Sequence, residues 1–220
     1  MKAFSTSVLI LLLTSNALAS TAADCIKMAD ESRAEMLRYK GGESSEANVK
    51  KSTKDVAACL DSVDPKGKTA LKEDAIAAWK DFSKMREDKI LPTVVRYNLV
   101  TKANKVNLDK TKEELRAIGE SAADCIKKAD AARAALLAYK DGKGDEAVVN
   151  QSAKDTSACI DSIPTKGGET QHKADAMTAW QTFRANREGK IIPDVKYFIE
   201  QSRQNTTNLL RTKKALQSLI

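Results

Sequence analysis

The 220-residue sequence is poor in the groups that most protein chemistry needs. Histidine occurs once, at His172, so no second imidazole is at hand for a metal site or a proton relay. No G-x-S-x-G elbow, phosphate loop or dinucleotide fingerprint is present. Aromatic residues make up 5% of the chain, too little for base-stacking platforms, which argues against a nucleic-acid partner. No stretch alternates apolar and polar residues with β-branched enrichment, so no sheet is expected. Beyond the first residues no apolar run approaches membrane length. These gaps point away from an enzyme and away from a metal or other cofactor.

What is present is a sequence written twice. Ala23–Asp30 returns at Ala123–Asp130 with one change, and over 23–63 aligned with 123–163, 23 of 41 positions are identical. After one inserted residue the match continues. Trp79, Phe82, Arg86, Ile90 and Pro92 meet Trp180, Phe183, Arg187, Ile191 and Pro193, and Asn107, Leu108, Thr111 and Leu115 meet Asn208, Leu209, Thr212 and Leu216. Each unit is about 97 residues, large enough to enclose a core and longer than the units of helical solenoids.

Ahead of the repeats, Lys2, the apolar run Val8–Leu13 and the Ala17–Leu18–Ala19 site read as a secretory signal over 1–19. The mature chain is then exported, to a bacterial periplasm or a eukaryotic exterior. In the second setting Asn205–Thr206–Thr207 is a glycosylation sequon. Loss of Lys2 lowers the formal charge from +7 to +6 (7 − 1). The 37 Lys and Arg are interleaved with 30 Asp and Glu, a pattern of solvated helix faces more than of a polyanion-binding stripe.

Each repeat reads as four helices. Thr21 with Asp24, and Ser121 with Asp124, form capping boxes for the first. Its apolar stripe runs Ile26, Ala29, Arg33, Leu37, and Gly41–Gly42 or Asp141–Gly142 stops it. Ser45 and Asp145 cap the second helix, with stripe Val49, Val56, Leu60, Val63. Thr69 and Thr170 are placed to cap the third, which carries Ile76, Trp79, Phe82 and Ile90. Pro92 and Pro193 suit the first turn of a fourth. The expected fold is all-α, a tandem duplication of two disulfide-stapled antiparallel four-helix bundles over 20–118 and 119–220. They would stack end to end with a joint at Gly119.

The four cysteines fit that hairpin geometry. Cys25 lies 16 residues before Gly41 and Cys59 lies 15 after Ser44, which puts both at one height. The same holds for Cys125 and Cys159. Pairs Cys25–Cys59 and Cys125–Cys159 are expected in an exported protein. Two cysteines per repeat are too few for structural zinc.

Candidate binding residues are those kept in both repeats on or beside the apolar stripes. They are Arg33, Tyr39, Trp79 and Arg86, with Arg133, Tyr139, Trp180 and Arg187. Paired guanidinium groups with aromatic neighbours hold carboxylates or phosphates. The alternative is that each arginine pairs with Asp30/Asp130 or Glu87/Glu188 while its stem covers the core.

The Trp79–Phe82–Arg86–Ile90–Pro92 run resembles the third-helix region of bacterial chemoreceptor-type sensor bundles. The Glu188–Gly189–Lys190 turn and the helix lengths resemble soluble b-type cytochrome bundles. The first resemblance implies ligand binding on helix faces. The second implies haem held by a methionine on the first helix and a histidine on the last. Met28 offers the methionine, but Lys128 replaces it in the second repeat and neither fourth helix carries a histidine. The reading that results is an exported, non-enzymatic binding protein for a small anionic or lipid-like ligand. The alternative is a structural or effector protein that meets a protein or an acidic cell surface.

Overall fold

A computed structural model describes residues 20–220; the expected signal segment, 1–19, lies outside them. Among the described residues every regular element is helical: α1 (Ala22–Gly41), α2 (Glu46–Ser62), α3 (Thr69–Met85), α4 (Leu91–Ile118), α5 (Ala123–Lys140), α6 (Glu146–Ser162), α7 (Glu169–Asn186) and α8 (Ile192–Gln217). No helix among them is long and apolar enough to cross a membrane.

Several helix ends form as their residues dictate. Thr21 and Asp24 make a reciprocal capping box. Ser45 and Asp145 accept from the first turns of α2 and α6. Gly42, at φ +88°, closes α1 in the left-handed conformation that only glycine adopts at low cost. Other caps differ from expectation. A short 3₁₀ turn over Glu120–Ala122 leads into α5, so Ser121 caps nothing. Thr69 and Thr170 lie inside α3 and α7, which start without a side-chain cap.

The expected break before Pro92 is absent. One π-turn, Arg86–Ile90, joins α3 to α4, and another, Arg187–Ile191, joins α7 to α8. The amide of Leu91 reaches back to the Arg86 carbonyl, and that of Ile192 to Arg187. A proline inside a helix cannot donate to the carbonyl four residues back and crowds it. The wider π-turn relieves that conflict without reversing the chain. Thr69–Ile118 is therefore one helical rod of about 75 Å at 1.5 Å per residue.

Because α3 runs straight into α4, the fourth helix cannot fold back onto its own repeat. Instead α8 packs on α3 and α1, and α4 packs on α7 and α5. One core joins Cys25, Ala29, Val56, Leu60, Trp79 and Phe82 to Leu209 and Leu216 of α8 and to Leu219 just beyond it. The other joins Leu108, Leu115 and Ile118 of α4 to Ala129, Leu136, Ile160, Trp180 and Phe183. Matching bonds seal the exchange. Asn205 Nδ2 donates to the Phe82 carbonyl at 3.0 Å, and Asn104 Nδ2 to the Phe183 carbonyl at 2.9 Å. The end-to-end stack is also corrected. Gly119, at φ +97°, turns the chain back, and Lys112 of α4 reaches Asp130 of α5 at 2.6 Å. Those two helices form a hairpin and do not point the same way.

The pairs Cys25–Cys59 and Cys125–Cys159 both form, as an oxidising compartment permits. The stripe on α1 differs from the sequence reading. Ala22, Cys25, Ala29, Ser32 and Met36 face inward, whereas Leu37 is 53% exposed. The small side chains Ala29 and Ser32 let α1 approach its neighbours closely, and this turns the larger Arg33 and Leu37 outward.

Where α4 and α8 cross, Tyr97 meets its counterpart Phe198 edge-on, with ring centroids 6.4 Å apart. The Tyr97 hydroxyl is buried without a hydrogen-bond partner among the described residues, and burial pushes its pKa well up. Tyr97→Phe is expected to stabilise the protein by about 1–2 kcal/mol, since it removes an orphaned polar group. A rise in the urea midpoint at pH 7 checks this. The native Tyr97 pKa lies above the unfolded value, so the native state holds its proton while the unfolded chain releases it above about pH 10. Tyr97 therefore costs stability as pH rises past that point, and the advantage of the phenylalanine variant is expected to widen there.

Candidate functional site

The site residues come from the stretch around the π-turns. Trp79, Phe82 and Arg86 share one face of α3 and its π-turn. Trp79 stacks on Phe82 at 4.7 Å, and the Arg86 guanidinium lies 4.5 Å from the Phe82 ring centre. Arg86 is 2% exposed. Its Nη1 donates to Ser32 Oγ at 2.7 Å and to Thr53 Oγ1 at 2.9 Å. The Thr53 and Ser52 hydroxyls both donate to the Val49 carbonyl. Thr53 Oγ1 is thereby left to accept from Arg86, and Ser52 Oγ to accept from Ser32 at 3.1 Å.

No carboxylate pairs with Arg86 among the described residues. Asp30 instead binds Lys213, and Glu87 stays on the surface. Burial pulls the Arg86 pKa down to about 10, and nearby Glu87 offsets this only in part. The group is still a cation at neutral pH, held by neutral hydroxyls.

Beside it is a hollow of about 90 Å³ between α1, the end of α3 and α8. Arg33, Met36, Phe82, Arg86, Phe198 and Asn205 are among its lining residues, and no acid is. Arg33 is exposed at its edge and makes no ion pair among the described residues. Two of the four first-repeat candidates, Arg33 and Arg86, therefore meet in one place. Trp79 sits beneath, donating from Nε1 to the Thr53 carbonyl at 3.2 Å. Tyr39 lies elsewhere, beside Glu46 and Lys50, where burial raises its pKa.

The second repeat has the equivalent hollow between α4, α5 and α7, of about 360 Å³. Arg133 lines it, but Arg187 does not. Ser32 and Thr53 are replaced there by Ala132 and Ala153. Without those hydroxyls, Arg187 donates to the Val149 carbonyl at 3.2 Å and to Glu188 at 2.9 Å, and its Nε is left without a partner among the described residues. Burial lowers its pKa, with Glu188 acting against the shift. Trp180 stacks on Phe183 and donates to Ser157. Tyr139 is buried apart from the hollow, near Glu146 and Lys196. The ion-pair alternative thus describes Arg187 and fails for Arg86.

Some residues that shape these sites escaped the sequence reading. Asn104 and Asn205 stand at matching places in the two repeats, and that recurrence was a usable signal. Lys40 and Lys140, 7% exposed each, also recur. Ser32 and Thr53 carry no signal, because the second repeat lacks them. Asn205, the sequon residue, is 2% exposed and bonded to Phe82, so it is no surface acceptor in the folded chain.

Haem does not fit the residues in place. Met28 lies beside Glu31, Ser32, Lys51 and Asp55 on α1 and α2, while His172 of α7 is held by Glu114 at 2.8 Å. No cluster of potential metal ligands occurs among the described residues. No protein-family model, curated protein or solved structure matches the chain.

Proposed function

We propose that this is an exported binding protein without catalytic activity, built as two intertwined four-helix bundles that hold small anionic ligands. The observation that carries the reading is Arg86. It is a buried cation with no ion-pair partner among the described residues, beside a hollow that has a second such arginine at its edge. A buried charge without a partner is costly, and an anion that enters the hollow offsets that cost. At about 90 Å³ the hollow has room for a few water molecules or a compact oxyanion. The two disulfides fit an oxidising compartment.

The test is native mass spectrometry of the protein from its natural source, followed by thermal unfolding in sulfate or phosphate. A bound anionic mass that leaves on denaturation is expected. Saturating anion raises the stability of a protein that binds it only when folded. Arg86→Met is expected to abolish that rise while leaving the anion-free protein as stable or more so, because the variant removes a buried lone charge. An anion-dependent rise that survives in Arg86→Met rules out this site.

A second reading, contact with another protein, is favoured by the open groove between α2 and α4. Leu91, Pro92, Val95 and Leu99 line it, and Leu99 is 64% exposed. A clean ligand-free mass together with a co-purifying partner supports that reading instead.

A further inference from the structure

The two hollows have diverged in size and in lining. Its volume of about 360 Å³ is four times that of the first and reaches the range of organic-ligand pockets, about 300–1,000 Å³. No carboxylate lines it. Lys140 does, at 7% exposure, with no ion pair or hydrogen bond among the described residues. Its ammonium lies 5.8 Å from the face of Tyr97 and near a second buried cation, Lys40. Arg133, half-buried two turns back on α5, is likewise without an ion pair among the described residues. Thr101 adds a buried hydroxyl with no hydrogen-bond partner among the described residues. Leu108, Leu136, Leu137, Phe183 and Ile191 form the apolar part of the wall, and Asn98, Lys102, Asn104 and Lys105 of α4 complete it.

Donors without acceptors on one side and an apolar wall on the other match a ligand with a charged head and a short tail. We propose that the hollow between α4, α5 and α7 binds an amphiphilic monoanion: the carboxylate of a medium-chain fatty acid. Lys140, Arg133 and the Thr101 hydroxyl hold the head, and the chain lies along Leu136 and Phe183. The proposal rests on the binding-protein reading but not on the Arg86 hollow. The first hollow cannot take the tail, for it is too small.

The experiment is isothermal titration of the full mature chain with decanoate below its micelle concentration, against decanol and inorganic phosphate. Decanoate is expected to bind with one-to-one stoichiometry, with decanol and phosphate each at least tenfold weaker. Lys140→Gln and Arg133→Gln are each expected to weaken decanoate at least tenfold, and Arg33→Gln to leave it unchanged. Circular dichroism melts establish that the variants fold; the decanol comparison needs no variant. The proposal is overturned by no decanoate binding, by decanol or phosphate binding as tightly, or by unchanged affinity in both second-hollow variants. Sulfate stabilisation that survives in Arg86→Met, with decanoate binding intact, removes the first site and leaves this one standing.

Discussion

The first repeat expressed alone, residues 20–118, is expected to form a dimer and to have no stable folded monomer. In the whole chain α4 buries Leu108, Thr111, Leu115 and Ile118 against the second repeat, and α3 buries Trp79 and Phe82 against α8. Each fully buried leucine contributes about 1.5–3 kcal/mol. A lone repeat loses both surfaces, and the straight passage through Arg86–Ile90 keeps α4 from folding back to replace them. A second copy can supply what is missing, because the contacts are duplicated in sequence. Asn104, Leu108, Thr111 and Leu115 stand where Asn205, Leu209, Thr212 and Leu216 stand in α8. Exchange of an identical element between protomers is an accessible route to such a dimer. Light scattering after size exclusion decides the matter. A folded, monomeric repeat means that α4 closes on its own α3.

The second large effect is expected at the disulfides. Each closes a loop with a sequence separation of 34, worth about 4 kcal/mol on the chain-entropy account. Total stability of a domain is about 5–15 kcal/mol, so one disulfide is a sizeable share. The hairpins have little else to rely on. The inner face of α1 is largely alanine, serine and cysteine, which bury little apolar area. Replacing Cys25 and Cys59 by alanine is expected to lower the melting temperature by roughly 10 °C or more. Replacing Cys125 and Cys159 is expected to do the same, and reduction of both bridges to unfold the hairpins first. Hydrogen exchange of α1 and α2 against α3 reads the order. A melt unchanged by reductant contradicts this account.

The elements that could be read from sequence are those fixed locally or by counting. The Thr21–Asp24 box, the Ser45 and Asp145 caps and the cysteine heights depend only on residues near one another along the chain. The exchange of fourth helices does not. The α3 surfaces of the two repeats are nearly alike, so the apolar stripe on α4 fits either, and periodicity carries no information about which it meets. What decides is whether the chain turns at Pro92, and a proline reads equally as a helix start or as an interior residue relieved by a π-turn. The inward face of α1 was misplaced for a related reason. Its true stripe is made of small residues, and the larger Arg33 and Leu37 drew the reading one position round the helix. That shift still placed Arg33 at the edge of the hollow that Arg86 lines. The divergence of the two sites was written in Ser32/Ala132 and Thr53/Ala153, but only the placement of Arg86 and Arg187 gives those differences meaning.

The central claim, that the fourth helices are exchanged, is tested most directly by zero-length carbodiimide cross-linking of the monomeric protein followed by peptide mapping. Lys213 lies 2.7 Å from Asp30, and Lys112 lies 2.6 Å from Asp130. Lys112 and Lys213 are counterparts in the repeat, as are Asp30 and Asp130, so a chain in which each repeat closes on itself joins them the other way. The account predicts Lys213–Asp30 and Lys112–Asp130 cross-links. Lys112–Asp30 and Lys213–Asp130 cross-links in their place would contradict it.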